Sequence, residues 1–184
     1  MVGDSITRSY YDPVATALQD KYHSARLTTS TAVADHIFNK ELALLIDDYP
    51  FAIIHFNNGL HGWDYSESTY AAGLTNALDF ITSHSPQSRI VLATSTPVRD
   101  KNNLQQFDPV NERVIKRNQL MLEIASSRGI AINDLYSGIV NHPNYYQTDG
   151  VHLNATGIQT LTRQVLFALC AATRDFDELR SIYS

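Results

Sequence analysis

The sequence predicts an α/β fold, a three-layer α/β/α sandwich built on a mainly parallel sheet, and three observations lead there. Short apolar runs rich in β-formers alternate along the chain with longer segments whose apolar residues recur every three or four positions. Two of the short runs, Phe51-Ala-Ile-Ile-His-Phe56 and Ile90-Val-Leu-Ala93, are almost continuously apolar, as strands covered on both faces must be. No repeat, low-complexity tract or linker-like change of composition divides the 184 residues, so a single domain spanning 1–184 is expected.

The elements follow in order. Strands are expected over Ala25 to Thr28, Phe51 to Phe56, Arg89 to Thr94 and Ile130 to Asn133. Between them Leu42, Leu45, Ile46 and Tyr49 mark one helical stripe, and Tyr70, Leu74, Ala77, Leu78 and Ile81 a second. Ile158, Leu161, Val165 and Leu169 mark the last. These stripes have the spacing of faces that pack on a sheet. A further helix should start near Asp108-Pro109, an N-cap acid followed by proline at the first helical position, and stop at Arg128-Gly129.

Composition excludes several function classes. A hydrophobic content of 43% supports a core without disulfides or a structural metal, and a net charge of -5 with scattered Lys and Arg offers no basic field for phosphate backbones or anionic lipid. Nucleic acid is therefore not an expected partner. No run approaches the roughly 18 apolar residues of a membrane span, and no leader-like segment precedes the first motif, so the chain as given reads as soluble. The single cysteine, Cys170, lies in the apolar run Val165 to Ala172 and is expected to be a buried thiol. His55, His84 and His142 have no ligand-like spacing, so neither a metal nor a cofactor is expected.

In parallel α/β sheets the loops leaving the carboxyl ends of the strands share one edge, where ligands bind. Five polar segments fall there: Gly3-Asp-Ser-Ile-Thr7, Thr31 to Asp35, Asn57-Asn-Gly-Leu-His61, Thr96 to Asp100 and Asp149 to Asn154. Asp149 stands three residues before His152, a spacing that lets a carboxylate hold one ring nitrogen and leave the other free as a base for a hydroxyl nucleophile. Taken singly each signal is ambiguous: Thr148-Asp-Gly150 is also an ordinary turn, and so is Asn57-Asn58-Gly59.

Taken together, "GDSIT" at 3–7, "NNG" after the third strand and "DGVHLN" before the final helix resemble, in order and spacing, the blocks of the SGNH (GDSL-like) hydrolase family. The resemblance spans the whole chain and implies a flavodoxin-like five-stranded sheet. It also implies roles. Ser5 matches the nucleophile at the turn into the first helix, with its N–H facing an oxyanion; His152 matches the general base and Asp149 its orienting acid. Asn57, rather than Asn58, matches the asparagine whose amide donates to the oxyanion. The family's remaining donor is a glycine after the second strand, and residues 28–35 contain none, which leaves Ala34 as the nearest match. His61 and Trp63 are candidate pocket residues or core caps. Arg99 is a candidate for a substrate carboxylate or sugar hydroxyl, or for a structural bridge to Asp100 or Asp108.

The reaction implied is ester hydrolysis through an acyl-enzyme on Ser5, without a cofactor. Short loops favour a small acyl group, acetyl on a carbohydrate being the expected substrate. The rivals are a lipase, thioesterase or lysophospholipase specificity, and a non-catalytic binding module on the same fold. Only Met1-Val2 precede the first block, where the family places a buried strand of about five residues. The expectation is thus a truncated first strand beside a vacant groove, filled by residues upstream of Met1 in a longer natural protein, by a tag or by another chain.

Overall fold

The two periods written into the sequence fold into two kinds of element. A computed structural model describes residues 1–183, with side chains described as far as Thr173. The chain runs β1 (Val2–Gly3), α1 (Ser5–Leu18), β2 (Leu27–Thr28), α2 (Phe38–Ile46), β3 (Ile53–Phe56), α3 (Glu67–His84) and β4 (Arg89–Ala93). It continues through β5 (Arg99–Asp100), β6 (Asn103–Phe107), α4 (Asn111–Arg128), β7 (Ala131–Asn133), α5 (Leu135–Ile139) and α6 (Ala155–Tyr183). Five strands form one parallel sheet in the order β2-β1-β3-β4-β7, the flavodoxin-like arrangement. Because the order reverses at β1, the loops after β1 and β3 diverge to opposite faces and leave a crevice between them.

Side chains alternate across the sheet as the strand period requires. Ile54 and Phe56 join Leu42, Leu74, Leu78 and Met121 under α2, α3 and α4. On the other face Ile53 packs with Tyr10, Val14, Leu161 and Val165 of α1 and α6, and the His55 ring meets Tyr10 edge-on at 6.0 Å. Every residue of the stripe predicted over Tyr70 to Ile81 is buried.

Other expectations are corrected. β2 is only two residues long, and Tyr49 lies beyond the end of α2, 58% exposed. Helix α4 begins at Asn111, although Asp108 does accept the Val110 N–H at 2.9 Å; Gly129, at φ 65°, ends it as expected. Cys170 is exposed rather than buried, since the buried stripe of α6 passes through Leu161, Val165 and Leu169 and leaves the next position turned outward. The hairpin β5–β6 was not foreseen: Asn103-Leu-Gln-Gln-Phe107 is polar and lacks a strand's apolar face.

β1 pairs through Val2 and Gly3 with Leu27 and Thr28, and through Val2 with Phe56. Clefts flank Met1 on both sides of the sheet, one lined by Leu18, Tyr22 and His55, the other by Leu42, Ile46 and Ile54.

His55 is fully enclosed, with Nε2 3.1 Å from the Asn133 amide nitrogen and Nδ1 without a partner. Burial, aided by the nearby amino terminus, lowers its pKa to about 3. Between that value and the ordinary ~6.5 the unfolded chain binds a proton that the folded chain refuses. This contribution to stability is therefore present above pH ~6.5 and is lost as pH falls toward 3. His55→Leu should flatten the fall of Tm with acidification, measured by thermal melts across that range; an unchanged acid limb would exclude His55 as its cause.

Candidate active site

Everything at the site hangs on how tightly β1 turns into α1. A Cβ on Gly3 would come 2.0 Å from Thr7 Oγ1 and 2.8 Å from the Asn57 carbonyl, so only glycine permits this approach. Asp4 caps α1 by accepting the Ile6 N–H at 2.9 Å. It is buried, and burial pushes its pKa up against the opposing pull of that bond and of nearby His61. Ser5 is thereby the first helical residue, where backbone N–H groups point out of the helix and the dipole favours negative charge.

Two short hydrogen bonds connect residues 147 positions apart. Ser5 Oγ lies 2.9 Å from His152 Nε2, and His152 Nδ1 lies 2.7 Å from Asp149 Oδ2. Asp149 Oδ1 accepts the N–H groups of Val151 and His152, each at 2.9 Å. Burial raises the Asp149 pKa, but the His152 hydrogen bond and the two backbone donors outweigh it and set it below the usual carboxylate range. The carboxylate so held fixes the ring tautomer that leaves Nε2 as an acceptor facing Ser5. The His152 and Asp149 side chains are 42% and 48% exposed, so the site opens directly to solvent.

The loop bearing Asp149 and His152 is pinned on several sides. Arg99 N–H donates to the Gly150 carbonyl at 2.8 Å, and Gly150, at φ 73°, approaches so closely that a Cβ would lie 2.1 Å from the Arg99 carbonyl. Gln147 N–H donates to the His152 carbonyl at 2.8 Å, and Asn154 caps α6 by accepting the Thr156 and Gly157 N–H groups.

The remaining candidates separate. The Asn57 amide nitrogen donates to the Ala93 and Thr94 carbonyls at 2.8 and 3.1 Å, which fixes its orientation at the end of β4. Asn58 instead clamps the loop after β2, accepting the Val33 N–H at 3.1 Å and donating to the Thr31 carbonyl at 3.0 Å. The Ala34 expectation is corrected: its backbone packs on α3, where a Cβ on Gly73 would lie 2.8 Å from the Ala34 nitrogen, so that N–H is covered by helix. Arg99 is corrected too. Only 3% exposed, it donates through its guanidinium to the Leu104 and Val140 carbonyls and lies over the Phe107 and Tyr146 rings, with no ion pair to Asp100 or Asp108.

Two arginines absent from the sequence reading hold the loop of His61 and Trp63. Arg117, 1% exposed, donates to the carbonyls of Gly59, His61 and Gly62, and Arg113 to those of Trp63 and Tyr65 while pairing with Glu67 at 2.5 Å. The Arg117 guanidinium lies 4.3 Å over the Trp63 ring. A signal existed, for Arg117 and Asn118 interrupt the buried stripe Val114, Met121, Ala125 of α4 with polar groups. Asn118 grips both the N–H and the carbonyl of Ser95, holding the loop after β4. Among the described residues no three His, Cys, Asp or Glu side chains gather as a metal site, and no helix is long and apolar enough to cross a membrane.

No family model and no curated protein matches the sequence. Solved structures do match. A carbohydrate esterase of family 3 from Talaromyces cellulolyticus superposes with a TM-score of 0.73 at 14% identity, covering 95% of this chain and 97% of that one. A carbohydrate acetylesterase family member from Sinorhizobium meliloti gives 0.72 at 19%, covering 93% and 97%. A GDSL-like lipase from Bacteroides thetaiotaomicron gives 0.69 at 13%, covering 93% and 86%. With its parallel sheet in the order β2-β1-β3-β4-β7 and helices on both faces, the chain has the fold of the SGNH, GDSL-like hydrolases.

Proposed function

We propose that this chain is a serine esterase that removes small acyl groups, acetyl foremost, from a carbohydrate. The observation that carries the reading is the connected series Ser5 Oγ, His152 Nε2, His152 Nδ1 and Asp149 Oδ2, with links of 2.9 and 2.7 Å. His152 takes the Ser5 proton as Oγ bonds to the ester carbon. The tetrahedral oxyanion rests on the Ser5 N–H and on the Asn57 amide, whose second hydrogen is available if the consecutive carbonyls of Ala93 and Thr94 share the first in a bifurcated bond. The proton then passes from His152 to the departing alcohol oxygen. Water repeats the sequence: it gives a proton to His152 while attacking the acyl carbon, and Ser5 leaves with that proton as the carboxylic acid is released.

An exposed triad without a covering segment suits small acyl groups, and two structural neighbours carry carbohydrate-ester names. The test is a hydrolysis series of p-nitrophenyl esters from acetyl to dodecanoyl beside O-acetylated methyl pyranosides. Activity should be highest on acetyl and fall steeply beyond butyryl. A maximum on long chains would make the protein a lipase, and the absence of any hydrolysis would leave a binding module.

A further inference from the structure

Resting on the esterase reading above, the direction of proton transfer divides the site into two halves. The departing alcohol oxygen receives its proton from His152 Nε2, so the alcohol half of the ester lies on the His152 side of Ser5, away from the helix end that faces the oxyanion. On that side a cleft opens beside Asp149 and Val151, the neighbours of His152 in the loop. Leu60, Val98, Val110 and Val151 contribute apolar surface to it, Trp63 an indole, and Lys101 and Asp108 a cation and an anion.

The cleft is built rather than incidental. Trp63 is braced by the Arg117 guanidinium at 4.3 Å and by Arg113, which also holds its carbonyl. Lys101 stands at the turn of the β5–β6 hairpin, and among the described residues its side chain has no hydrogen bond or ion pair. Asp108 uses Oδ1 for the Val110 N–H, and its Oδ2 has no protein partner among the described residues. Arg99, beneath the hairpin, is engaged by backbone carbonyls and does not compete for a ligand.

We infer that this cleft is the subsite for the alcohol half of the substrate and that the alcohol is a sugar ring, its C–H face against Trp63 and its hydroxyls reaching Lys101 and Asp108. The chemistry selects this class. An alkyl alcohol would leave both charges without partners, and an ionic alcohol would meet one charge of its own sign, whereas vicinal hydroxyls donate to Asp108 and accept from Lys101 together. The indole and the valines match the apolar face that a pyranose presents between its hydroxyls.

Trp63 is the chain's single tryptophan, so its fluorescence reports occupancy of the cleft. Titrating the wild-type protein with an unacetylated methyl pyranoside should give a saturable change in Trp63 emission. Lys101→Ala and Asp108→Asn should each weaken that binding about tenfold, the usual effect of losing a charge-assisted hydrogen bond. They should also lower the ratio of kcat/KM on an acetylated methyl pyranoside to that on p-nitrophenyl acetate by a similar factor. An emission unmoved by any pyranoside, or a ratio unchanged in both variants, overturns the inference. If p-nitrophenyl acetate is hydrolysed while no acetylated pyranoside is, the sugar subsite fails and the esterase reading stands. If a fluorophosphonate does not label Ser5 and no ester is hydrolysed, the esterase reading has failed and the subsite with it.

Discussion

Ser5→Ala should lower kcat for ester hydrolysis on the order of 10⁴- to 10⁶-fold, the range found when a serine nucleophile is removed from its base and acid. The size of the effect follows from the geometry. His152 Nε2 has Ser5 Oγ as its partner at 2.9 Å, and without that oxygen the activated base faces only water. Stability should barely change, because Asp4 rather than Ser5 caps α1 and alanine is a good helix former at the position it would occupy. His152→Ala should have a comparable effect, and the double variant should be little worse than either single one, since the two residues act as a unit. Steady-state kinetics with acetyl esters, alongside melts of each variant, provide the measurement. A Ser5→Ala protein within tenfold of wild-type kcat would remove Ser5 from the chemistry.

The second large effect concerns the paired asparagines. Asn57→Ala should reduce kcat roughly 10²- to 10³-fold, the usual consequence of deleting one oxyanion donor. Asn58→Ala should act chiefly on stability, because its side chain ties Val33 and Thr31 of the loop after β2 to the end of β3. Two buried backbone groups lose their partners in that variant, each costing on the order of 1 to 3 kcal/mol. The two residues thus separate by readout, kcat for Asn57 and Tm for Asn58. If Asn58→Ala shows the larger loss of kcat while Asn57→Ala keeps the wild-type value, Asn58 takes over the oxyanion role, its amide having one hydrogen beyond the Thr31 bond.

How much of this was legible in the amino-acid order depended on the range of the forces involved. Period and burial are local properties, so the strands over Phe51–Phe56 and Arg89–Thr94, the stripe from Tyr70 to Ile81 and the stop at Gly129 could be read directly. Asp149 and His152 were legible for the same reason: a spacing of three residues in one loop is short enough for both backbone and side-chain bonds to close locally. Their alignment with Ser5 was implied by block order, and its distance came only from the fold. Tertiary structure alone decided the rest. Arg99 looked available because it follows a strand, yet the β5–β6 hairpin folds over it and its guanidinium meets carbonyls from Leu104 and Val140, remote positions that no spacing announces. Ala34 lost its expected role to a helix–loop contact at Gly73, and Cys170 turned outward because one position on α6 rotates a side chain by roughly 100°. The cleft between Trp63, Lys101 and Asp108 draws on three separate loops, and its shape exists only once Arg113 and Arg117 of α4 have drawn the loop after β3 into place.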